Sequence, residues 1–289
     1  MFYIMKLLLY GISWIGKQIV ELLNEEGNDL SWVAGKSRVD NLDDLRHEIN
    51  AVQPTHILSI IGRTHGPGTN NIDWLEKPGH LTDNIRDNMY APLSLALECK
   101  ERGIHFTYLG TGCIFEGYPD GGFTPDSLPN FFGSSYSIVK GFTDRLMHQL
   151  PVLNIRIRMP ITNIDHPRNF ISKILKYERI CSVENSMSYL PNLLPVAIRM
   201  IKEGRTGTVN LVNPGLITHN EILEMYKDLV DPEFTWINFS IEEQNKILAS
   251  RRSNNLLNTL DMEKMGVPDI KTSVRLALET WQRAEKLKE

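Results

Sequence analysis

The stretch that decides the fold stands at the start of the chain and reads Phe2-Tyr-Ile-Met-Lys-Leu-Leu-Leu-Tyr-Gly-Ile-Ser-Trp-Ile-Gly16. Residues 2–10 form an apolar run that only Lys6 interrupts, which is typical of a strand covered on both faces of a sheet. Residues 16–24 then carry apolar side chains at a helical period. A buried strand, a glycine turn and a helix in this order predict the beginning of a βαβ unit.

The rest of the first half repeats this alternation of strands and helices. The predicted strands are Leu30–Ala34, His56–Ile61, His105–Tyr108 and Leu153–Met159. The predicted helices are Leu42–Val52, Thr82–Arg102 and Tyr136–Leu150. This spacing predicts an α/β fold with a Rossmann-like, doubly wound parallel sheet.

The second half is rich in helices and does not continue the pattern. Its predicted elements are a strand at Gly207–Val212 and helices at Arg168–Tyr177, Leu190–Lys202, His219–Leu229, Ile241–Ser250 and Lys271–Lys286. We therefore expect a dinucleotide-binding Rossmann domain over residues 1–160, with 207–215 added to it. A smaller, helix-rich substrate-binding lobe would comprise 161–206 and 216–289.

The composition of the chain limits its partners and its location. It has 289 residues, of which 42% are hydrophobic and 23% charged, as in an ordinary globular protein. The net charge of -4 argues against nucleic acid as a partner, since such proteins carry a basic excess. No apolar run approaches the ~20 residues of a membrane span, so no membrane role is expected. Three widely spaced cysteines (Cys99, Cys113 and Cys181) form neither a disulfide framework nor a zinc cluster, which favours the cytoplasm.

The turn between the first strand and the first helix predicts a phosphate site. Gly11 permits a tight turn there, and Gly16 lets the backbone approach a pyrophosphate at the helix N-terminus. Two glycines are also found in ordinary strand-to-helix turns, and that alternative stays open. If the turn binds a dinucleotide, the contacts fall on Gly11, Ser13, Trp14, Ile15 and Gly16.

The end of the second predicted strand bears on the choice of cofactor. An NAD site usually places an acidic residue there, to bind the ribose 2′-hydroxyl. This chain has Gly35-Lys36-Ser37-Arg38 instead, and two cations with a hydroxyl suit a 2′-phosphate. NADPH is therefore favoured over NADH, although Lys36 and Arg38 would also suit an ordinary solvated surface.

Tyr136 and Lys140 are four residues apart at the start of a predicted helix, so their side chains share a face. A lysine ammonium beside a phenol favours the phenolate, and it lowers a pKa that is ~10 without neighbours. Such a tyrosine can exchange a proton with a carbonyl oxygen near neutral pH. Thr111, just after the fourth predicted strand, can bind the same oxygen.

With these motifs the chain resembles the extended short-chain dehydrogenase/reductase family. Within it, the chain is most similar to the bifunctional 3,5-epimerase/4-reductases of nucleotide-rhamnose synthesis, relatives of dTDP-4-dehydrorhamnose reductase. The segments that carry the resemblance are Tyr10–Gly16, Thr111-Gly-Cys-Ile-Phe-Glu116, Pro129–Lys140, Arg158-Met-Pro-Ile161, Pro167-Arg-Asn-Phe-Ile-Ser-Lys173, Asn213-Pro-Gly215, His219–Tyr226 and Arg252-Ser-Asn-Asn255. One departure concerns the family's Gly-x-x-Gly-x-x-Gly turn. Aligned on Gly16, this chain has Tyr10 and Ser13 where two glycines are expected.

The resemblance implies a reaction and the residues that carry it out. A nucleoside-diphosphate 4-keto-6-deoxyglucose, with UDP favoured, would be epimerised at C3 and C5 and then reduced with NADPH to the rhamnose nucleotide. Thr111, Tyr136 and Lys140 would form the reductase site, with Cys113 and Lys173 as the acid/base pair for epimerisation. The remaining cofactor contacts implied are Ile61, Gly62, Arg63, Asn88 and Met159. The substrate contacts implied are Arg168, Asn169, Arg252 and Asn254.

Plainer interpretations exist for several of these residues. A free cysteine is commonly a small buried hydrophobe, and most lysines lie on a helix surface. Helix capping competes with substrate binding for the two asparagines. His65, His80 and His219 match no metal-ligand spacing, and we expect no metal.

Two other functions remain open: a single-activity keto-sugar reductase or 4-epimerase, and a non-catalytic NADP-binding protein. The chain carries no 4,6-dehydratase lobe, so a nucleotide-glucose 4,6-dehydratase would be its metabolic partner. A homodimer is also expected.

Overall fold

The computed structural model describes residues 5–25 and 30–286, so residues 2–4 of the predicted first strand lie outside it. The strands in these residues are β1 Met5–Tyr10, β2 Leu30–Ala34, β3 His56–Ser59, β4 His105–Thr111, β5 Leu153–Ile157, β6 Pro160–Ile161, β7 Arg179–Ile180, β8 Ser188–Tyr189, β9 Gly207–Asn210 and β10 Ile237–Asn238. The helices are α1 Trp14–Glu25, α2 Leu42–Val52, α3 Leu81–Ile85, α4 Ala91–Arg102, α5 Ser135–Met147, α6 Phe170–Ile174, α7 Leu190–Lys202, α8 His219–Leu229, α9 Ile241–Ile247, α10 Leu260–Lys264 and α11 Ile270–Lys286.

The described residues form two compact units. The first comprises the described part of Met1–Ile114, with Leu128–Arg156 and Ala197–Val209. The second comprises Phe115–Ser127, Ile157–Val196 and the described part of Asn210–Glu289. These units differ from the predicted division at four segments: residues 115–127, 157–160 and 210–215 belong to the second unit, and residues 197–206 belong to the first. Residues 115–127 pair with 255–257 of the second unit through parallel bridges at Gly117 and Phe123, which a periodicity pattern does not reveal.

A six-stranded sheet forms the centre of the first unit, in the order β2-β1-β3-β4-β5-β9. The pairs β1/β2, β1/β3 and β3/β4 are parallel, with Leu8 of β1 opposite Val33 and Ile57. Strand order reverses at β1, whose neighbours are β2 on one side and β3 on the other. Ligands of such sheets bind beyond the carboxyl ends of the strands at this switch point. The predicted α/β fold with a doubly wound sheet is confirmed.

Burial explains why these segments form a sheet with helices against it. Leu7, Leu8 and Leu9 are buried on both sides of β1, as the apolar run predicts. Leu45 and Ile49 of α2 lie one helical turn apart and join the same core cluster as Leu8. Asn41 caps α2 by accepting a hydrogen bond from the Asp44 amide.

The second unit has its own core. Short parallel pairs, β6/β8 and β7/β10, lie within this unit. A cluster that includes Ile171 of α6, Leu223 of α8 and Val274 of α11 is fully buried. Within the described residues, no helix has both the length and the apolar character that crossing a bilayer requires.

The predicted long helix Thr82–Arg102 is wrong in one respect, because it is interrupted. After α3, residues Arg86–Tyr90 form a π-helical turn in which the Ala91 amide donates to the Arg86 carbonyl, and α4 follows. Pro92 lies at the start of α4 and has no N–H to donate to the Asn88 carbonyl. In a regular α-helix its ring would also clash with that carbonyl. The side chain of Thr143 donates to that carbonyl instead, at 2.9 Å.

Several other predicted elements are shorter in the structure. The strand predicted to reach Met159 ends at Ile157, and Met159 has a φ of 40°. The helix predicted over Arg168–Tyr177 is confined to α6, and the one predicted to reach Ser250 ends with α9.

Gly11 provides a test of the packing at the switch point. It has a φ of 86°, and a Cβ there would lie 2.7 Å from the Ile60 carbonyl carbon. Gly79 has a φ of 87°, but an added Cβ there has no atom within 4 Å. An alanine at 79 therefore has the same backbone strain as one at 11, without the close contact. We expect Gly79→Ala to cost about 1–2 kcal/mol and Gly11→Ala at least about 2 kcal/mol more, by urea unfolding. Equal losses would mean that the close contact does not contribute.

Candidate active site

The glycine turn of the first unit closes tightly on the main chain that follows β3. The Cα of Gly11 faces Ile60 and Ile61, and a Cβ at Gly16 would lie 3.0 Å from the Gly11 carbonyl oxygen. Gly11 thus makes the close approach, whereas Tyr10 is a buried residue at the end of β1. The first intrahelical bond runs from the Lys17 amide to the Ser13 carbonyl, at 2.8 Å. The earlier amides of α1 precede this ladder, which is the arrangement that binds anions.

Asn88 holds the turn that follows β3. Its Oδ1 accepts from the Arg63 amide and its Nδ2 donates to the Arg63 carbonyl, both at 2.9 Å. The same Nδ2 donates to Asn84 Oδ1 at 2.8 Å, and Asn88 is fully buried. Gly62 lies against this side chain, with 3.3 Å from an added Cβ to Asn88 Oδ1. The structure therefore brings together the predicted cofactor residues 61–63 and Asn88.

The loop after β2 differs in one respect from the sequence expectation. Lys36 and Arg38 are exposed, and Arg38 forms an ion pair with Asp40 at 2.7 Å. The Ser37 hydroxyl donates to the Glu48 carboxylate of α2, so its proton is already engaged. A contact of Ser37 with a 2′-phosphate therefore stays a prediction, and it would require this hydroxyl to leave Glu48. The sequence did not indicate this role of Glu48, because a glutamate on the polar face of an amphipathic helix is ordinarily a solvated surface residue.

Thr111, Cys113 and Tyr136 are neighbours at the carboxyl end of β4. The Thr111 hydroxyl lies beside the Tyr136 phenol, where hydrogen bonding from Thr111 opposes the rise in the phenol pKa. The same hydroxyl accepts from the Cys113 amide at 3.1 Å. Cys113 packs, half-buried, against the cluster of Trp74, Leu75 and Tyr136. Two hydroxyl groups thus converge beside a thiol. Such a pair can hold one carbonyl or enolate oxygen.

Lys140 is buried one turn after Tyr136, but its ammonium donates to the phenol of Tyr108. Burial lowers the pKa of Lys140 to about 8, against the opposing charges of Asp144 and Cys113. Burial also raises the pKa of Tyr136, and the Cys113 charge adds to this effect. The predicted lowering of the Tyr136 pKa by Lys140 is therefore wrong for this structure, because desolvation dominates. The Tyr136 phenol keeps its proton at neutral pH.

Hydrogen bonds fix the start of α5, which carries Tyr136 and Lys140. Ser134 caps the helix by accepting from the Ser137 amide at 3.0 Å. Ser137 Oγ in turn donates to the Cys113 carbonyl at 2.7 Å. The Ser135 amide donates to Glu76 at 2.9 Å. Further along α5, Asp144 accepts from Arg156 of β5 at 2.7 and 2.8 Å.

In the second unit, the predicted acid/base residue Lys173 lies on α6. Burial, followed by the charge of Arg168, lowers its pKa. Arg168 is exposed, whereas Asn169 is fully buried and caps α6 by accepting from the Ile171 amide. Both N–H groups of Asn169 are used, by the carbonyls of Thr162 and Ile164 at 2.9 Å. The side chain of Asn169 is therefore occupied in capping α6 and in holding the loop before it, in contrast to the predicted substrate contact.

The other two predicted substrate residues also belong to the second unit. Residues 252–257 alternate between half-buried and buried, so Arg252 and Asn254 share the more open face. Arg158, which is fully buried, donates to Ser253 Oγ at 2.9 Å and holds the segment from its other face. Asn254 Oδ1 accepts from Asn185 at 2.9 Å. Sequence reasoning quoted Arg158 as part of a motif but missed this supporting role.

Among residues 5–25 and 30–286, no group of three or more His, Cys, Asp or Glu side chains is placed to hold a metal ion.

Comparison with known proteins places the chain. No protein-family model matches it. The L780 protein of Acanthamoeba polyphaga mimivirus is 50% identical over 281 residues, which are 94% of this chain and 96% of L780. The crystal structure of L780, described as a UDP-rhamnose synthase, matches with a TM-score of 0.92 at 49% identity, covering 96% of this chain and 99% of that one. A bifunctional dTDP-4-dehydrorhamnose 3,5-epimerase/reductase of Arabidopsis thaliana is 40% identical over 265 residues, which cover 89% of this chain and 86% of that enzyme.

The chain belongs to the nucleotide-rhamnose synthase family. This confirms the resemblance predicted from the motifs and the expectation of an enzyme. A third rhamnose synthase relative, the Arabidopsis trifunctional dehydratase/epimerase/reductase RHM1, is 40% identical over 269 residues. These cover 90% of this chain but only 39% of that protein.

The lowered pKa of Lys140 predicts a pH dependence of stability. Its proton is lost at about 8 in the folded chain, against 10.5 for an unperturbed lysine. Between these values the unfolded state binds more protons, so the contribution of Lys140 to stability rises with pH. We expect the free energy of unfolding of the native chain, relative to Lys140→Met, to increase by about 1–3 kcal/mol between pH ~7.5 and pH ~10. Urea unfolding at both pH values measures it, and a difference that does not change with pH would contradict the assignment.

Proposed function

We propose that this chain converts a nucleoside-diphosphate 4-keto-6-deoxyglucose to the rhamnose nucleotide, by 3,5-epimerisation followed by reduction of the 4-keto group. The observation that carries the proposal is the pairing of the Tyr136 and Thr111 hydroxyls beside Cys113. The names of L780 and of the Arabidopsis bifunctional enzyme support it.

One oxygen atom links the two reactions. C3 and C5 both flank the C4 carbonyl, so removal of either proton gives an enolate whose charge lies on the C4 oxygen. Donors from Tyr136 and Thr111 stabilise that charge, and the same donors polarise the ketone for reduction. A Tyr136 phenol with a raised pKa is protonated at neutral pH, which suits the donation of a proton to the reduced oxygen.

The epimerisation also requires a group that removes a proton from carbon and one that returns it. We propose Cys113 and Lys173 for these roles. The pKa of Lys173 is lowered by burial and by Arg168, which increases the neutral fraction that can accept a proton. Arg168, Arg252 and Asn254 are the proposed substrate contacts, since the arginine guanidinium suits phosphate oxygens.

The first unit fits a dinucleotide cofactor, because Gly11 leaves room for no side chain against Ile60 and the N-terminus of α1, which favours anions, follows directly. We propose NADPH, which supplies a hydride when bound. Residues 11, 13–16, 61–63, 88 and 159 would hold it, with Lys36 and Arg38 at the 2′-phosphate. Tyr136 and Lys140, whose ammonium donates to the Tyr108 phenol, are proposed as further cofactor contacts.

The wider setting is also proposed. We favour a UDP sugar, a location in the cytoplasm and a homodimer. Since a 4-keto sugar must first be formed, a nucleotide-glucose 4,6-dehydratase is the expected metabolic partner. RHM1, whose name includes a dehydratase, supports that link.

Product analysis tests the function directly. The chain receives NADPH and either the UDP- or the dTDP-4-keto-6-deoxyglucose, and the product is identified by NMR. A rhamnose nucleotide from the unepimerised substrate supports the proposal. A 6-deoxy sugar with unchanged C3 and C5 would indicate a reductase alone, and cofactor binding without turnover would indicate a non-catalytic protein.

Tyr136→Phe should abolish the reduction, because the carbonyl oxygen loses its proton donor. We expect kcat to fall by at least about 100-fold. Tyr90→Phe removes the same hydroxyl from an exposed residue of the first unit and serves as the control. The measurement is NADPH oxidation with a pre-epimerised substrate, and retained activity in Tyr136→Phe would contradict the assignment.

Cys113→Ser should impair epimerisation more than reduction, because only the first step needs a group acting at carbon. We expect exchange of the C3 and C5 protons with deuterated solvent to fall at least about 10-fold, while reduction of a pre-epimerised substrate changes less. Cys181→Ser, in the second unit, is the matched control. Equal losses in both half-reactions would refute the division of roles.

A further inference from the structure

The carboxylate of Glu48 is bonded to the loop that follows β2. Its Oε1 accepts from the Lys36 amide at 2.7 Å, and its Oε2 accepts from the Ser37 amide at 3.0 Å. The Ser37 hydroxyl and the Tyr10 phenol donate to the same Oε2, the phenol at 2.6 Å. Four donors thus meet one carboxylate, and we call this set of Tyr10, Lys36, Ser37 and Glu48 the Glu48 network.

The phenol in this network is part of the protein core. Tyr10 is 2% exposed and belongs to the same buried cluster as Leu45 and Ile49 of α2. Its ring lies directly against Gly35, where an added Cβ would overlap the ring carbons. Burial and the bond to Glu48 raise the pKa of Tyr10, so the phenol keeps its proton and donates it. The loop is therefore attached to the core in two steps: its amides bond to Glu48, and Glu48 bonds to the buried phenol of Tyr10.

Three of the four donors bond to Oε2 and one to Oε1, so most of the acceptor capacity of this carboxylate is used within the network. Glu48, which comes from the helix that follows the loop, is thus bonded to the loop backbone and to the Tyr10 phenol. The amides of residues 36 and 37 point inward to Glu48. The side chains of Lys36 and Arg38 remain on the exposed side, where they would meet a 2′-phosphate.

We propose that Tyr10 and Glu48 are positioning residues that fix the backbone of residues 35–37 and thereby set the preference for adenine nucleotides that carry a 2′-phosphate. This rests on the NADPH part of the proposed function and names the residues behind it. Neither residue needs to touch the cofactor. Their effect passes through the backbone to the two cations.

Adenosine 2′,5′-bisphosphate and AMP, compared by calorimetric titration, test the proposal. They differ only in the 2′-phosphate, and neither takes part in the sugar reaction. Failure of the sugar reaction therefore leaves the binding ratio measurable. The variants are Glu48→Gln, which keeps the shape of the side chain, and Tyr10→Phe, which keeps the ring against Gly35. Glu21→Gln makes the same change at an exposed position of α1.

We expect the native chain and Glu21→Gln to bind the bisphosphate more tightly than AMP. Glu48→Gln should lower that preference about tenfold and Tyr10→Phe about threefold, while AMP affinity changes little. Lys36→Ala should lower it as well, because it removes one of the cations themselves. An unchanged ratio in both network variants overturns the proposal. So does an equal loss for both nucleotides, which would indicate a purely structural role, or the absence of a preference in the native chain.

Discussion

The contact of Gly11 with the main chain of Ile60 and Ile61 is the constraint on which the site in the first unit depends. It arises because β1 and β3 are neighbours, so the segments that leave their carboxyl ends must pass each other closely. A side chain at Gly11 would separate them. With the glycine, the amides of the first turn of α1 and the turn of residues 61–63 come to the same edge of the sheet, where Asn88 fixes the second of them.

Buried polar groups orient α5 on this frame. An ammonium as deeply buried as that of Lys140 needs partners, and it has the phenol of Tyr108 together with the charge of Asp144. Asp144 is in turn paired with Arg156 of β5. Reactive groups on helices are placed more accurately than groups on loops. Tyr136 is carried by the helix that these pairs hold in place, and its own burial makes the phenol harder to ionise.

The sequence was sufficient for most of the strand and helix order, the doubly wound sheet, and most residues now found near the end of β4. Strong periodicity and the glycine turn carry that information locally. It was not sufficient for partners set by tertiary contacts. The lysine four residues after Tyr136 donates to Tyr108, which lies on another element, and Asn169 turned out to be a buried cap. Glu48 and Arg158 act through side chains distant in sequence, so no local pattern marks them. Pro92 is a local signal for the interruption of the predicted long helix, because a proline inside a helix removes one backbone hydrogen bond.

That proline ties the position of Asn88 to a residue that does not face the candidate site. Because residue 92 has no N–H, the carbonyl of Asn88 is left for Thr143, and the wide turn sets the direction of the Asn88 amide. An ordinary helix-forming residue at 92 would offer a competing donor and favour regular winding, in which each residue turns the chain by about 100°. A substitution of Pro92 would thus disturb the Asn88 side chain and, through it, the turn of residues 61–63.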